Sequence, residues 1–195
     1  TNTNLNTSGE SGSNLKVNVG AGGQKFLWIE GLLNGSSGTA NWSDYGLFLY
    51  DVDYSRIRYV GAENSAYGIK ITGTGGAESK YNLFEMLSSS DNSFEGLTVD
   101  NTIESVFSGL NSSNNGTGGS ASGLLVSTNA DKNTFVNVLS NENSGAGINL
   151  GAGSSTRNSF SFVTANANGS TNTVPGFYTY MSPFDLNQAV FLRNY

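Results

Sequence analysis

The stretch GLLVSTNADKNTFVNVLSNENSGAGINLGAGSSTRNSFSFVTANANG, from Gly123 to Gly169, contains two units built on one plan. Each opens on Gly followed by alternating apolar residues, GLLVS from Gly123 and GINLG from Gly147. Each continues into a Phe-centred segment, NTFVNVLSNEN and NSFSFVTANAN. Outward from this stretch the Gly-led marker recurs as GLFLY from Gly46, GIKIT from Gly68, GLTVD from Gly96 and GFYTY from Gly176. Its successive spacings are 22, 28, 27, 24 and 29 residues. The second marker is anchored at Ile57, Phe84, Phe107, Phe135 and Phe160, spaced 27, 23, 28 and 25. Two markers that hold one loose period are the sign of a stacked repeat.

The alternation within each Gly-led segment has period two, which makes it a strand rather than a helix. Leu47/Leu49, Ile69/Ile71, Leu97/Val99, Leu124/Val126 and Ile148/Leu150 form a clean apolar set that should point inward. Successive rungs would then lie parallel, about 4.8 Å apart, with like residues stacked on like. No helical pattern long enough for a βαβ crossover intervenes. An antiparallel jelly roll would not require the same residue types to return at the same turn. The expected fold is all-β, a right-handed parallel β-helix of about six to seven rungs. It should span residues 15–195, after a flexible polar lead-in at 1–14. The chain starts at Thr1 without Met or a signal peptide, and reads as a processed product or a piece of a longer chain.

Composition narrows the function. Only 12% of residues are charged and 36% are apolar, with 26 Gly filling much of the difference. The net charge is -6 and the nine Lys and Arg are scattered, so no phosphate-tracking basic face is expected and nucleic acid is not an expected partner. No apolar run approaches membrane-helix length. With no Cys and no His, disulfides, thiolate metal sites and Ser-His-Asp triads are excluded, and no metal or cofactor is expected. GAGGQK at 20–25 lacks the full phosphate-loop spacing. The Asn-x-Ser/Thr matches at Asn6, Asn34, Asn41, Asn111, Asn115 and Asn168 are chance products of an Asn- and Ser-rich chain.

Turn chemistry recurs with the strands. Asn92, Asn115, Asn143 and Asn168 stand eight residues past the second anchor, with Asn64 one place short in the first rung. Asn tolerates left-handed backbone and bonds neighbouring amides, so an Asn ladder along a repeated turn is expected. Rung length varies as well. Phe107 to Gly123 and Phe160 to Gly176 are 16 residues apart, against 12 for Phe84 to Gly96 and Phe135 to Gly147. The surplus, around 116–120 and 170–174, reads as loops extruded from one edge, where binding residues often sit.

Units such as NTFVNVLSNENSGAGINL and NSFSFVTANANG resemble right-handed β-helix repeats of the pectate-lyase-like superfamily over roughly residues 45 to 180. Their Ser/Asn/Gly-rich, Cys-free texture looks most like bacteriophage tailspike and tail-fibre β-helices. That resemblance implies a homotrimer on a virion or other extracellular surface that binds, and often cleaves, a cell-surface polysaccharide. It implies equally a polysaccharide lyase, an epimerase or a structural adhesin, because fold alone does not assign function.

The outward positions of the Gly-led strands form two columns. One runs Phe48, Lys70, Thr98, Leu125, Asn149, Tyr178, and the other Tyr50, Thr72, Asp100, Ser127, Gly151, Tyr180. Aromatic rings mixed with short polar groups suit a sugar chain, so Phe48, Tyr50, Lys70, Thr98, Asp100 and Tyr178 are the expected glycan contacts. The same columns would also serve as plain strand surface or as a subunit interface. Glycoside hydrolysis needs two carboxylates about 5 to 9.5 Å apart. Asp51 and Asp100, two rungs apart and therefore roughly 10 Å along the axis, are the weak catalytic candidates. The resemblance to lyases implies a basic residue, which Lys70 beside Asp51 and Asp100 would imitate, but no Asp cluster resembles a calcium cage. Arg58 and Glu85, at equivalent places in adjacent rungs, should form a surface ion pair.

Overall fold

The computed structural model describes residues 4–6, 15–18, 26–35, 45–74, 76–117, 121–151, 157–166, 168–169, 176–179 and 185–191. These residues form a parallel β-helix. One sheet stacks β2 (Leu15–Asn18), β4 (Tyr45–Tyr50), β6 (Tyr67–Thr72), β9 (Leu97–Val99), β12 (Leu124–Val126), β14 (Ile148–Leu150) and β16 (Phe177–Thr179), all parallel. The second stacks β3 (Trp28–Gly35), β5 (Arg56–Glu63), β8 (Leu83–Ser90), β11 (Val106–Ser113), β13 (Thr134–Asn141), β15 (Ser159–Asn166) and β17 (Asp185–Phe191). A narrow third column pairs β7 (Ser79–Lys80) with β10 (Thr102–Ile103), and single bridges from Asp53 to Lys80 and from Ile103 to Asp131 extend it. Side chains are described in both main strands of the five rungs between Tyr45 and Asn166, and partial rungs lie at either end. Within the stretch expected to be a lead-in, β1 (Asn4–Asn6) pairs antiparallel with β2.

The inward columns follow the alternation. Leu47, Ile69, Leu97, Leu124 and Ile148 are in register in the first sheet and buried, as are Leu49, Ile71, Val99, Val126 and Leu150. In the second sheet Phe84, Phe107, Phe135 and Phe160 are fully buried, with ring centroids 4.7, 4.7 and 4.6 Å apart. That spacing equals the separation of neighbouring strands, so the backbone ladder itself sets the stack.

The long strands are not uniform ribbons. A residue in left-handed conformation sits at the middle of β3, β5, β8, β11, β13 and β15: Gly31, Tyr59, Met86, Gly109, Asn137 and Phe162. It points two consecutive residues outward and bends the strand, as at Arg58 and Tyr59 between buried Ile57 and Val60. A corner at a fixed position in every rung lets two sheets and a narrow column close round one core.

The expected Asn ladder is present, with one change at its start. Asn92, Asn115, Asn143 and Asn168 are buried and linked along the axis. The amide of Asn92 donates to Asn115 Oδ1 at 2.8 Å, that of Asn115 to Asn143 Oδ1 at 2.9 Å, and that of Asn143 to Asn168 Oδ1 at 2.9 Å. In the first rung Ser65 holds the ladder position, its N–H donating to Asn92 Oδ1. Asn64 instead takes the left-handed place that Asp91, Asn114 and Glu142 fill below it. A second ladder, Ser55, Asn82, Ser105, Asn133 and Asn158, runs along the opposite corner, each N–H donating to the next side-chain oxygen.

The repeated Gly has a steric cause. A Cβ at Gly96 would lie 2.1 Å from Ser112 Oγ, and one at Gly123 would lie 2.1 Å from Ser140 Oγ. Those hydroxyls donate to the carbonyls of Gly123 and Gly147, each at 2.7 Å, tying the two main sheets together across the turn.

Candidate functional site

The two outward columns form in the expected register. Phe48, Lys70, Thr98, Leu125, Asn149 and Tyr178 are consecutive partners, and Tyr50 pairs with Thr72. Their accessibility differs along the strip. Phe48, Tyr50, Lys70, Asp100 and Tyr178 are half-buried, whereas Thr98 and Thr72 are nearly covered at 7% and 6% exposure. Tyr180 and the expected loop residues 118–120 and 170–174 lie outside the described residues.

Lys70 and Asp100 form the polar centre of the face. Lys70 Nζ lies 3.0 Å from Asp100 Oδ2, and the Ser127 hydroxyl donates to Asp100 Oδ1. Burial pulls the Lys70 ammonium toward its neutral form, but the adjacent Asp100 carboxylate outweighs it and the pKa rises above its ordinary value. Lys70 also sits 5.8 Å from the centroid of the Tyr45 ring. It is therefore a fixed cation, held from one side by a carboxylate and from the other by a π face.

Three aromatic residues missed in the sequence belong to this face. Tyr45, Tyr67 and Phe94 stack in adjacent rungs with centroids 5.0 and 4.9 Å apart. The signal was present in Tyr45-Gly46 and Tyr67-Gly68, an aromatic residue directly before two of the marker glycines. Phe94 stands one place further off because Glu95 is inserted before Gly96. Burial pushes the Tyr67 phenol up, and Glu95 adds to the shift, so it remains a hydrogen-bond donor. Tyr45 also meets Phe48 at 5.2 Å, and Phe48 meets Tyr50 at 5.9 Å. These rings spend part of their area on each other, so a ligand meets ring edges and margins as well as free faces. The polar groups between them carry correspondingly more of any recognition.

The two weak catalytic candidates do not share an environment. Asp51 is only 2% exposed, and its Oδ1 accepts the N–H of Thr74 at 2.8 Å and the Thr74 hydroxyl at 3.3 Å. It stands in left-handed conformation at the end of β4 and holds the turn that follows. Asp100 alone faces the strip. The expected Arg58–Glu85 ion pair is replaced by two others. Arg58 pairs with Glu30 at 2.6 Å, and Arg56 with Glu85 at 2.7 Å. Both guanidinium groups also lie over the Trp28 ring, 5.7 and 5.8 Å from its centroid. Among the described residues no cluster of three or more acidic side chains could hold a metal ion.

No family model matches the chain, and no curated protein matches it in sequence. In structure it is similar to an alginate lyase from Paenibacillus sp. str. FPU-7, with a TM-score of 0.55. The two are 14% identical, over 92% of this chain and 65% of the other. This chain thus spans less than two thirds of the length of that lyase. The likeness is one of fold.

Proposed function

We propose that this chain is a polysaccharide-recognising β-helix, a tailspike-like receptor-binding module of an extracellular or virion surface, assembled as a homotrimer. The glycan lies along the outer face of the first sheet against Phe48, Tyr50, Lys70, Thr98, Asp100 and Tyr178, with Tyr45, Tyr67 and Phe94 as a side wall. The observation that carries this reading is the Lys70–Asp100 pair set among stacked aromatic rings in one continuous register. It offers charged donors and acceptors for sugar hydroxyls beside apolar ring area. The likeness in fold to a protein that acts on alginate supports a carbohydrate ligand.

The same likeness favours a second reading, cleavage of the bound chain, with Lys70 and Asp100 as the reacting groups. Recognition is preferred because Asp51, the expected second carboxylate, is buried and bonded to Thr74, away from the pair that hydrolysis needs. Incubation with capsular and lipopolysaccharide glycans, followed by sizing of the products and by affinity measurement, separates the two. Binding without shortening, weakened about tenfold by Lys70→Ala with circular dichroism unchanged, is the expected result. Chains that shorten, with the activity lost in Asp100→Asn, would establish the enzyme instead. Native mass measurement checks the trimer.

A further inference from the structure

We infer that the glycan held on the face of the first sheet is an uncharged one, gripped through neighbouring ring hydroxyls, and that polyuronates are excluded. This inference rests on the recognition reading above and names its ligand class. The side chains of Lys70 and Asp100 are 24% and 15% exposed, so the pair is held in place yet open to a ligand. The capacity it leaves over can be counted. An ammonium carries three N–H donors, and a carboxylate accepts at about four lone-pair positions. One Lys70 donor goes to Asp100 Oδ2, and the ammonium also lies against the Tyr45 ring. Asp100 accepts from Lys70 at Oδ2 and from the Ser127 hydroxyl at Oδ1. Spare donors and spare acceptors therefore stand side by side, 3.0 Å apart. A hydroxyl uses both, because its O–H donates to the carboxylate while its oxygen accepts from the ammonium. Two hydroxyls on adjacent carbons of a pyranose fill the pair.

A uronate carboxylate uses only the donor side. It has no proton for Asp100, and it would approach Lys70 with that like charge 3.0 Å from the ammonium. The other cations do not make up the difference. Arg56, Arg58, Lys132 and Arg157 are each ion-paired, on the second sheet or at the corner before it. Lys80 lies over the Tyr81 ring at that same corner. Lys16 is in register with Phe48, and its side chain lies outside the described residues. Counted at formal charge, Lys16 and Lys70 stand against Asp100 and Glu95, two positive against two negative. Glu95 is close enough to the side wall to help raise the Tyr67 phenol. The face is thus balanced on a chain of net charge -6, and a polyanion is not steered to it. β-Elimination takes its proton from the carbon beside a uronate carboxyl, so an uncharged ligand is also one that this chemistry cannot cleave.

Isothermal calorimetry on the full chain tests this with oligosaccharides of matched length. Gluco-, manno- and galacto-oligosaccharides are the uncharged probes, and oligoalginate and oligogalacturonate the acidic ones. An uncharged probe should bind at least tenfold tighter than either acidic one, with an affinity that high salt leaves nearly unchanged. Asp100→Asn should reverse the preference, because it removes the like charge and frees the Lys70 ammonium while its Oδ1 can still accept from Ser127. The uncharged probe should weaken about tenfold and the acidic ones strengthen about tenfold, now in a salt-dependent way. Lys70→Met, a second variant, should weaken the uncharged probe about tenfold without admitting the acidic ones. Acidic probes bound as tightly as uncharged ones by the unaltered chain would overturn the inference and leave recognition standing. So would a preference untouched by Asp100→Asn, or an uncharged probe indifferent to Lys70→Met. Binding of no probe at all would overturn the recognition reading, and the inference with it.

Discussion

Inside the coil a column repeats one residue type from rung to rung, with Phe over Phe in the second sheet and Asn over Asn at the turn. On the outer face of the first sheet, Phe48, Lys70, Thr98, Leu125, Asn149 and Tyr178 stand in equally strict register, and no two neighbours are alike. The backbone ladder is common to both, so the difference lies in what each side chain must satisfy. An inward side chain meets its equivalents directly above and below in a dry core, and self-complementary groups are selected. An outward one is released from that demand and can be set by something outside the coil. Substitutions inside should therefore cost stability throughout the solenoid. Substitutions on the face should change recognition and leave stability nearly alone.

The hardest break is Phe135→Ala. Phe135 is fully buried between Phe107 and Phe160, and both neighbours are fixed by their own strands and cannot close the gap. The expected cost is about 3–5 kcal/mol, read as a lower midpoint in urea unfolding. A cost near that of an exposed site, such as Phe162→Ala, would mean that the stack is ornamental.

Asn115→Ala comes next. The Asn115 amide donates to Ser89 O, Ser112 Oγ and Asn143 Oδ1, and its Oδ1 accepts from the N–H and the amide of Asn92. Truncation leaves several of these buried groups unpaired, at a cost of about 2–3 kcal/mol. Asn111→Ala, exposed on β11, serves as the control. Hydrogen exchange should show faster opening at Asn92 N–H, which loses its acceptor.

The same contrast explains how far the sequence could be read. The coil was legible because the Gly-led strands and the Phe anchors repeat within a narrow range of spacings. The first Asn ladder was legible because four of its five places are Asn. The second was not, because Ser55 and Ser105 interrupt Asn82, Asn133 and Asn158. Ser and Asn both present an oxygen to the next N–H, so hydrogen bonding continues where residue identity does not. The mid-strand corner was invisible for a similar reason. Tyr59, Met86, Gly109, Asn137 and Phe162 share a backbone conformation and nothing else. On the outer face, strand alternation put Phe48, Lys70 and Thr98 in one register column, as the ladder has them, though it did not show that Thr98 is nearly covered. It could not show that Asp51 is buried against Thr74, or that Arg58 pairs with Glu30 and Arg56 with Glu85, because those outcomes depend on contacts between elements distant in sequence.

The smallest expected effect on stability is at the Lys70–Asp100 pair, and it sharpens the comparison most. Both side chains are partly open to water, so a double-mutant cycle with Lys70→Met and Asp100→Asn should give a coupling of only about 0.5 kcal/mol. Its pH dependence has a definite sign. The folded-state pKa of Lys70 is raised above 10.5, because the Asp100 carboxylate outweighs the opposing effect of burial. The contribution of the Lys70 shift is thus present through the neutral range and is lost as pH rises through the folded value. The coupling measured by chemical unfolding should stay flat through the neutral range and fall on the alkaline side. If it instead amounts to several kcal/mol, the pair belongs with the Phe stack and the Asn ladder as a structural element of the coil. A small coupling, together with a large loss of glycan affinity in the same variants, keeps it on the side of recognition.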